Sequence, residues 1–179
     1  MLDLGCARGA YLPELAERHK ETHNVLGIDI RRQAIESAVA ALHARSNAAA
    51  LYANVLCEQH LAALMALIGS TLQVALVLFP DPMFKMRHRK RRAFGEPVLA
   101  AFAAAPRMST IVFKSDVEEV YTDARRMVAD HADNWTLLDE PAALAATMQW
   151  LGPVRTTREL LVNAYAAPVF RFVASRRRS

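Results

Sequence analysis

The 179-residue sequence predicts an α/β fold: a doubly wound, mostly parallel sheet with helices on both faces. Three observations carry that expectation. Short apolar or β-branched runs alternate with segments of helical spacing along most of the chain. A glycine-containing turn follows the first run directly. The run over residues 72–79 is apolar at nearly every position, as in a strand covered on both faces.

In order, residues 1–4 read as a strand, 5–9 as a Gly-x-x-x-Gly turn and 10–20 as a helix. Residues 24–30 form a second strand ending in an acid, and 31–46 have helical spacing. A third strand is expected over 48–56, and a helix over 58–68 stopped by Gly69. The apolar strand follows, then a basic loop, a helix over 95–105, a fifth strand over 109–116 and a helix over 117–132. Residues 139–168 look less regular and are expected to cover the ligand edge of the sheet. The end, 167–176, alternates like a strand. With no repeat, low-complexity tract or linker, the expectation is one domain over 1–179, its first strand cut short at Met1.

Composition narrows the function classes. The chain is 53% hydrophobic and 22% charged, enough apolar material for a core. Its net charge of +4 is concentrated at Lys85–Arg92 and Arg176–Arg178, a pattern suited to a polyanion. Cys6 and Cys57 are too few for a disulfide framework or a zinc spacing, and the six histidines show no metal spacing. No apolar run reaches the ~18 residues that span a bilayer, and no signal pattern precedes the first strand. A soluble intracellular protein, cytoplasmic by default, is expected.

In doubly wound sheets, ligands bind beyond the carboxyl ends of the strands. That edge would carry Asp3, Gly5 and Gly9 from the first strand and turn, Asp29 from the second strand and Asn54 from the third. Asp81 and Asp116 would follow the fourth and fifth. Each acid taken singly reads most simply as a helix N-cap, and the turn as only a tight turn. Five such residues in register with one edge favour a ligand site. Asp29 is placed to accept from two ribose hydroxyls, Asn54 to pair with an adenine amino group, and Asp3 to meet a ligand ammonium. The turn lacks the Gly-x-Gly-x-x-Gly spacing that seats a pyrophosphate. Trp135 and Trp150 read as packing residues before base-stacking ones.

The stretch LFPDPMFKMRHRKRR, residues 78–92, holds an acid between two prolines, then places six Lys and Arg within eight positions. The prolines fix φ and stiffen the turn, while the cations suit phosphates and His88 lies among them. Together with DLGCARG, GIDI, SDVEEV and the tail TTRE…PVFRFV, it resembles the tRNA (guanine-N7)-methyltransferase family across nearly the whole chain. Phe84, Asn54 and SDVEE resemble its eukaryotic branch, and the spacing of the tail its bacterial one. Ala7 stands where the family usually has glycine, and Met83 where it has an aromatic residue or histidine.

The resemblance implies a Rossmann-like class I methyltransferase that uses S-adenosylmethionine and no metal, with tRNA as substrate and its variable loop as target. It implies that Asp3, Gly5, Asp29, Asn54 and Asp81 meet the cofactor and that Asp81 is catalytic. Lys85, Asp116, Thr156, Thr157, Arg158 and Glu159 would hold the substrate nucleotide. A partner subunit and a homodimer both remain open. The competing expectations are an RNA-binding relative without catalysis, and a methyltransferase for a small molecule or protein.

Overall fold

The computed structural model describes residues 1–84 and 92–177. The elements are β1 (Leu2–Leu4), α1 (Leu12–Arg18), β2 (Val25–Asp29), α2 (Arg32–Leu42), β3 (Ala48–Tyr52), α3 (Glu58–Ile68) and β4 (Val74–Leu78). There follow α4 (Glu96–Ala104), β5 (Thr110–Ser115), α5 (Glu118–Asp130), β6 (Trp135–Leu137), α6 (Glu140–Leu151), α7 (Thr157–Ala164) and β7 (Phe170–Arg176).

The strands form one sheet in the order β3-β2-β1-β4-β5-β7-β6. The first five pair in parallel, and β7 runs antiparallel to both β5 and β6. Because β2 lies on one side of β1 and β4 on the other, the strand order reverses between β1 and β4. Asp3 faces Leu76 across that pair. A reversal of this kind opens a crevice beyond the strand ends, where ligands bind in open α/β sheets.

Both faces of the sheet are dry. On one, Ala75 and Val77 of β4, Ile111 and Phe113 of β5, and Phe172 of β7 pack against α3, α4 and α5. On the other, Val74, Leu76 and Leu78, Val112 and Val173 pack against α1, α2 and α6. Alternate residues of one strand thus serve opposite cores, the consequence of a two-residue side-chain period. This explains why β4 reads as a continuous apolar run. On α5 the residues facing the sheet, Val120, Ala124 and Val128, recur every four positions.

The structure departs from expectation at several elements. β3 stops at Tyr52 because Asn54 takes the backbone into a turn, its Oδ1 accepting from Leu56 N–H at 3.1 Å. Residues 139–168 are not irregular but hold α6 and α7, and α6 packs on a sheet face rather than covering the ligand edge. The alanine-rich α6 lacks a clear apolar stripe, so periodicity missed it. Its start was marked by Asp139, whose side chain accepts from Ala142 N–H at 2.9 Å, and by Pro141. The three-residue β6 was too short to leave a pattern. Its Trp135 is buried in the core, and Trp150 packs beside His19 and His23, so both tryptophans serve packing.

Candidate active site

The turn after β1 is held by Gly5 and Cys6 N–H donating to Ile28 O, both at 2.9 Å. Gly5 has φ 91°, and a Cβ built there would meet nothing within 4 Å, so conformation demands glycine while the space beside it stays open. Ala7 lies in the left-handed region at φ 53°, and its N–H donates to Asp29 Oδ2 at 3.0 Å. An L-residue with a Cβ is strained there. Ala7→Gly is therefore expected to stabilise the protein by about 1 kcal/mol, measured by urea denaturation.

Asp3 is 1% exposed. Burial, opposed by the Tyr11 hydroxyl and reinforced by the charge of Asp29, pushes its carboxyl up to about 7. Among the described residues, Asp3 Oδ2 and Tyr11 Oη are both buried without a hydrogen-bond partner. An unpaired buried carboxylate is costly, and a ligand cation would relieve it.

At the end of β2, burial works to raise the Asp29 carboxyl, but Arg31 and two backbone N–H groups outweigh it and hold it below the usual range. Arg31 N and Nε donate to Oδ1 at 2.9 Å each, and Arg31 Nη2 donates to Oδ2 at 3.0 Å. The Arg31 guanidinium is held charged first by Asp29 and also by the field of Asp81. Asp29 closes β2 and Asp81 lies in the turn after β4, both on the carboxyl side of parallel strands of the sheet. Among the described residues, no helix takes Asp3, Asp29, Asp81 or Asp116 as its N-cap.

Asp81 is exposed, and its Oδ1 accepts from Met83 N–H at 3.1 Å. Phe79 at φ 54° and Met83 at φ 45° put left-handed backbone on both sides of it. Such conformations persist only where the surroundings over-determine them, and they gather at functional sites. Phe84, also exposed, follows in the same turn. Lys85 and His88 lie outside the described residues. Arg92 is described and turns inward, pairing with Glu119 and Asp123. Arg176 Nη1 donates to Ala105 O at the end of α4, and Arg177 Nε to Thr136 Oγ1 of β6, so both side chains have partners in the fold.

Two ion pairs of opposite sense join the end of β5 to the first turn of α7. Inside, Lys114 Nζ lies 2.7 Å from Glu159 Oε1, with both side chains more than nine-tenths buried. Arg155 Nε approaches the same oxygen at 3.5 Å. Outside, Arg158 pairs with Asp116. Thr156 caps α7 by accepting from Glu159 N–H at 3.0 Å, and Thr157 is exposed beside it. Burial lowers Lys114 despite the opposing pull of Glu159. Lys114→Met leaves Glu159 buried with only Arg155, which should cost about 3 kcal/mol by urea denaturation.

Of the residues expected at the strand ends, Asp3 lies within β1 and Asp29 closes β2, while Gly5, Asn54, Asp81 and Asp116 lie in the connections after β1, β3, β4 and β5. Sequence reasoning missed Tyr11, Arg31, Lys114 and Arg155, which look like ordinary helix or strand residues in one dimension. A lone lysine inside the apolar run of β5 was the one available signal, since a buried lysine must find a partner. Among the described residues no His, Cys, Asp or Glu group forms a metal site, and no helix is long and apolar enough to cross a membrane.

Residues 1–171 match a family described as putative methyltransferase. Among solved structures, the methyltransferase domain of bacterial CtHen1 superposes with a TM-score of 0.56 at 13% identity, covering 97% of this chain and 88% of that one. An rRNA methylase from Streptococcus thermophilus gives 0.55 at 11%, covering 99% and 86%. The fold is that of the class I methyltransferases. The tRNA (guanine-N(7)-)-methyltransferase of Synechocystis sp. is 33% identical, with 98% of this chain and 81% of that protein covered. That of Synechococcus sp. strain CC9311 is 36% identical, with 98% and 73% covered. The chain belongs to the tRNA (guanine-N7)-methyltransferase family.

Proposed function

We propose that this protein, acting as a single methyltransferase domain, moves a methyl group from S-adenosylmethionine to N7 of a guanine in the variable loop of cytoplasmic tRNA. The observation that carries this reading is the placement of Asp3, Asp29 and Asp81 on one edge at the β1/β4 reversal, with a buried Asp3 oxygen unpaired.

The residues fit the cofactor. The orphaned Asp3 oxygen suits an ammonium. Asp29 suits two ribose hydroxyls once the Arg31 side chain, itself exposed, turns aside. Ile30, 53% exposed beside Asp29, offers apolar surface to a base, and Asn54 stands beyond the neighbouring strand. The open space at Gly5 leaves room for backbone approach. The cofactor supplies an electrophilic methyl group on a sulfonium.

Guanine N7 carries a lone pair and no proton, so no base is needed to make it attack. Positioning then provides most of the acceleration. Positive charge grows on the purine as the bond forms, and the Asp81 carboxylate is the group placed to stabilise it. Glu159, with Lys114 and Arg155 beside it, is suited to accept from the guanine N1–H and amino group. Thr156 and Thr157 at the start of α7, with Asp116 and Arg158 at the rim, would border the same base. Lys85 and its basic neighbours would neutralise phosphates.

The alternative of an RNA-binding relative without catalysis draws on Ala7 in place of glycine. The bond from Ala7 N–H to Asp29 favours the catalytic reading, because it keeps the turn in place despite the methyl group. Incubation with labelled S-adenosylmethionine and unmodified tRNA, followed by borohydride/aniline cleavage, should place the label at N7 of a variable-loop guanine. A folded, cofactor-binding protein that labels no tRNA would refute the proposal. tRNA binding that neither weakens steeply with ionic strength nor depends on Lys85–Arg92 would favour a small molecule or protein as substrate.

A further inference from the structure

We propose that Arg92, last of the basic run, is a positioning residue that fixes the Asp81 turn rather than a contact to phosphate. The proposal rests on the reaction assigned above. In sequence, Arg92 is one cation among six in eight positions. Its side chain is only 10% exposed. Nε donates to Pro82 O at 2.9 Å, Nη1 to Asp123 Oδ2 at 2.8 Å and Nη2 to Glu119 Oε1 at 2.8 Å.

Those three bonds join the residue directly after Asp81 to the first two turns of α5. The turn needs such a tie. Upstream it is held by the sheet, where Phe79 N–H donates to Lys114 O at 2.8 Å. Downstream, Asp81 is followed by Pro82, which has no N–H to donate, and by Met83 in left-handed backbone. The Pro82 carbonyl is the acceptor the turn offers there, and Arg92 takes it while anchored on two carboxylates. A planar guanidinium can serve three acceptors in fixed directions at once, whereas an ammonium on a flexible stem holds no such geometry. A phosphate contact would need exposed N–H groups and has no use for these acceptors.

The test compares the full chain with Arg92→Lys and Arg92→Met. The readouts are kcat and KM for tRNA across salt concentrations, cofactor affinity by calorimetry, and hydrogen exchange at the Met83 amide, which Asp81 protects. A clamp predicts that both variants lower kcat, on the order of 10- to 100-fold. The salt slope of tRNA binding and the cofactor affinity should stay unchanged, and Met83 should exchange faster. Arg92→Lys keeps the charge and guards against losses from charge removal alone. The proposal is overturned if Arg92→Lys keeps wild-type kcat while Arg92→Met weakens tRNA binding and reduces the salt slope by about one. Unchanged Met83 exchange in both variants overturns it as well. A wild-type chain that transfers no methyl group would sink the assigned reaction instead, and Met83 exchange would then decide the clamp by itself.

Discussion

Replacing Asp81 by Asn lowers kcat by about 10²–10³-fold, because the loss falls on charge stabilisation in the transition state. The substitution isolates charge from shape. Asparagine keeps an oxygen able to accept from Met83 N–H, so the turn between Pro80 and Pro82 is retained. Removed is the negative charge that would face the guanine as it turns cationic. Cofactor affinity should change less than kcat, since the charge matters most where the purine turns cationic. Single-turnover rates at saturating cofactor and tRNA measure the effect. A near-wild-type rate would show that positioning alone suffices.

Asp3→Asn should make the cofactor-free protein more stable and the cofactor-binding protein worse. Folding raises the Asp3 carboxyl from its ordinary 3.8 to about 7. Between those values the native state holds a proton that the unfolded chain has released. Stability is therefore lost as pH climbs from about 4 to 7, by up to about 4 kcal/mol at 1.36 kcal/mol per unit, and then levels off. Asparagine carries no such charge. The stability gap in favour of Asp3→Asn should be small at pH 4–5 and reach roughly 2–4 kcal/mol at pH 8, read from urea midpoints. Calorimetry at pH 8 should show S-adenosylmethionine affinity falling at least about tenfold, because a hydrogen bond to a charged group contributes about 1.5–3 kcal/mol. In the wild type, a ligand ammonium lowers Asp3, so affinity should weaken as pH drops below 7. A destabilised Asp3→Asn that still binds would remove Asp3 from the site.

Much of this was legible in the sequence because it depends on local pattern. β4 announces itself by an unbroken apolar run, α3 by its bounds from Glu58 to Gly69, and the ligand edge by acids at successive strand ends. What could not be read was pairing across the fold. Lys114 meets Glu159 over 45 positions, and the Arg18 guanidinium meets the end of α6 over 130. Nothing in the basic run marks Arg92 as the residue that bonds Pro82 O, Asp123 and Glu119. Charge type is written in one dimension, but partner choice is set when β5, α5 and α7 are brought together. Arg31 shows the same limit. Helical spacing assigns it to α2, and only the close of β2 beside it reveals a cation lying across Asp29.

The central claim is that one edge, at the β1/β4 reversal, holds both the methyl donor and the purine that receives it. A crystal structure with S-adenosylhomocysteine tests this most directly. The account predicts the ligand ammonium at Asp3, the ribose hydroxyls on Asp29 with Arg31 turned away, and the sulfur facing Asp81. A ligand bound elsewhere, or one seated with its sulfur directed away from Asp81, would contradict it.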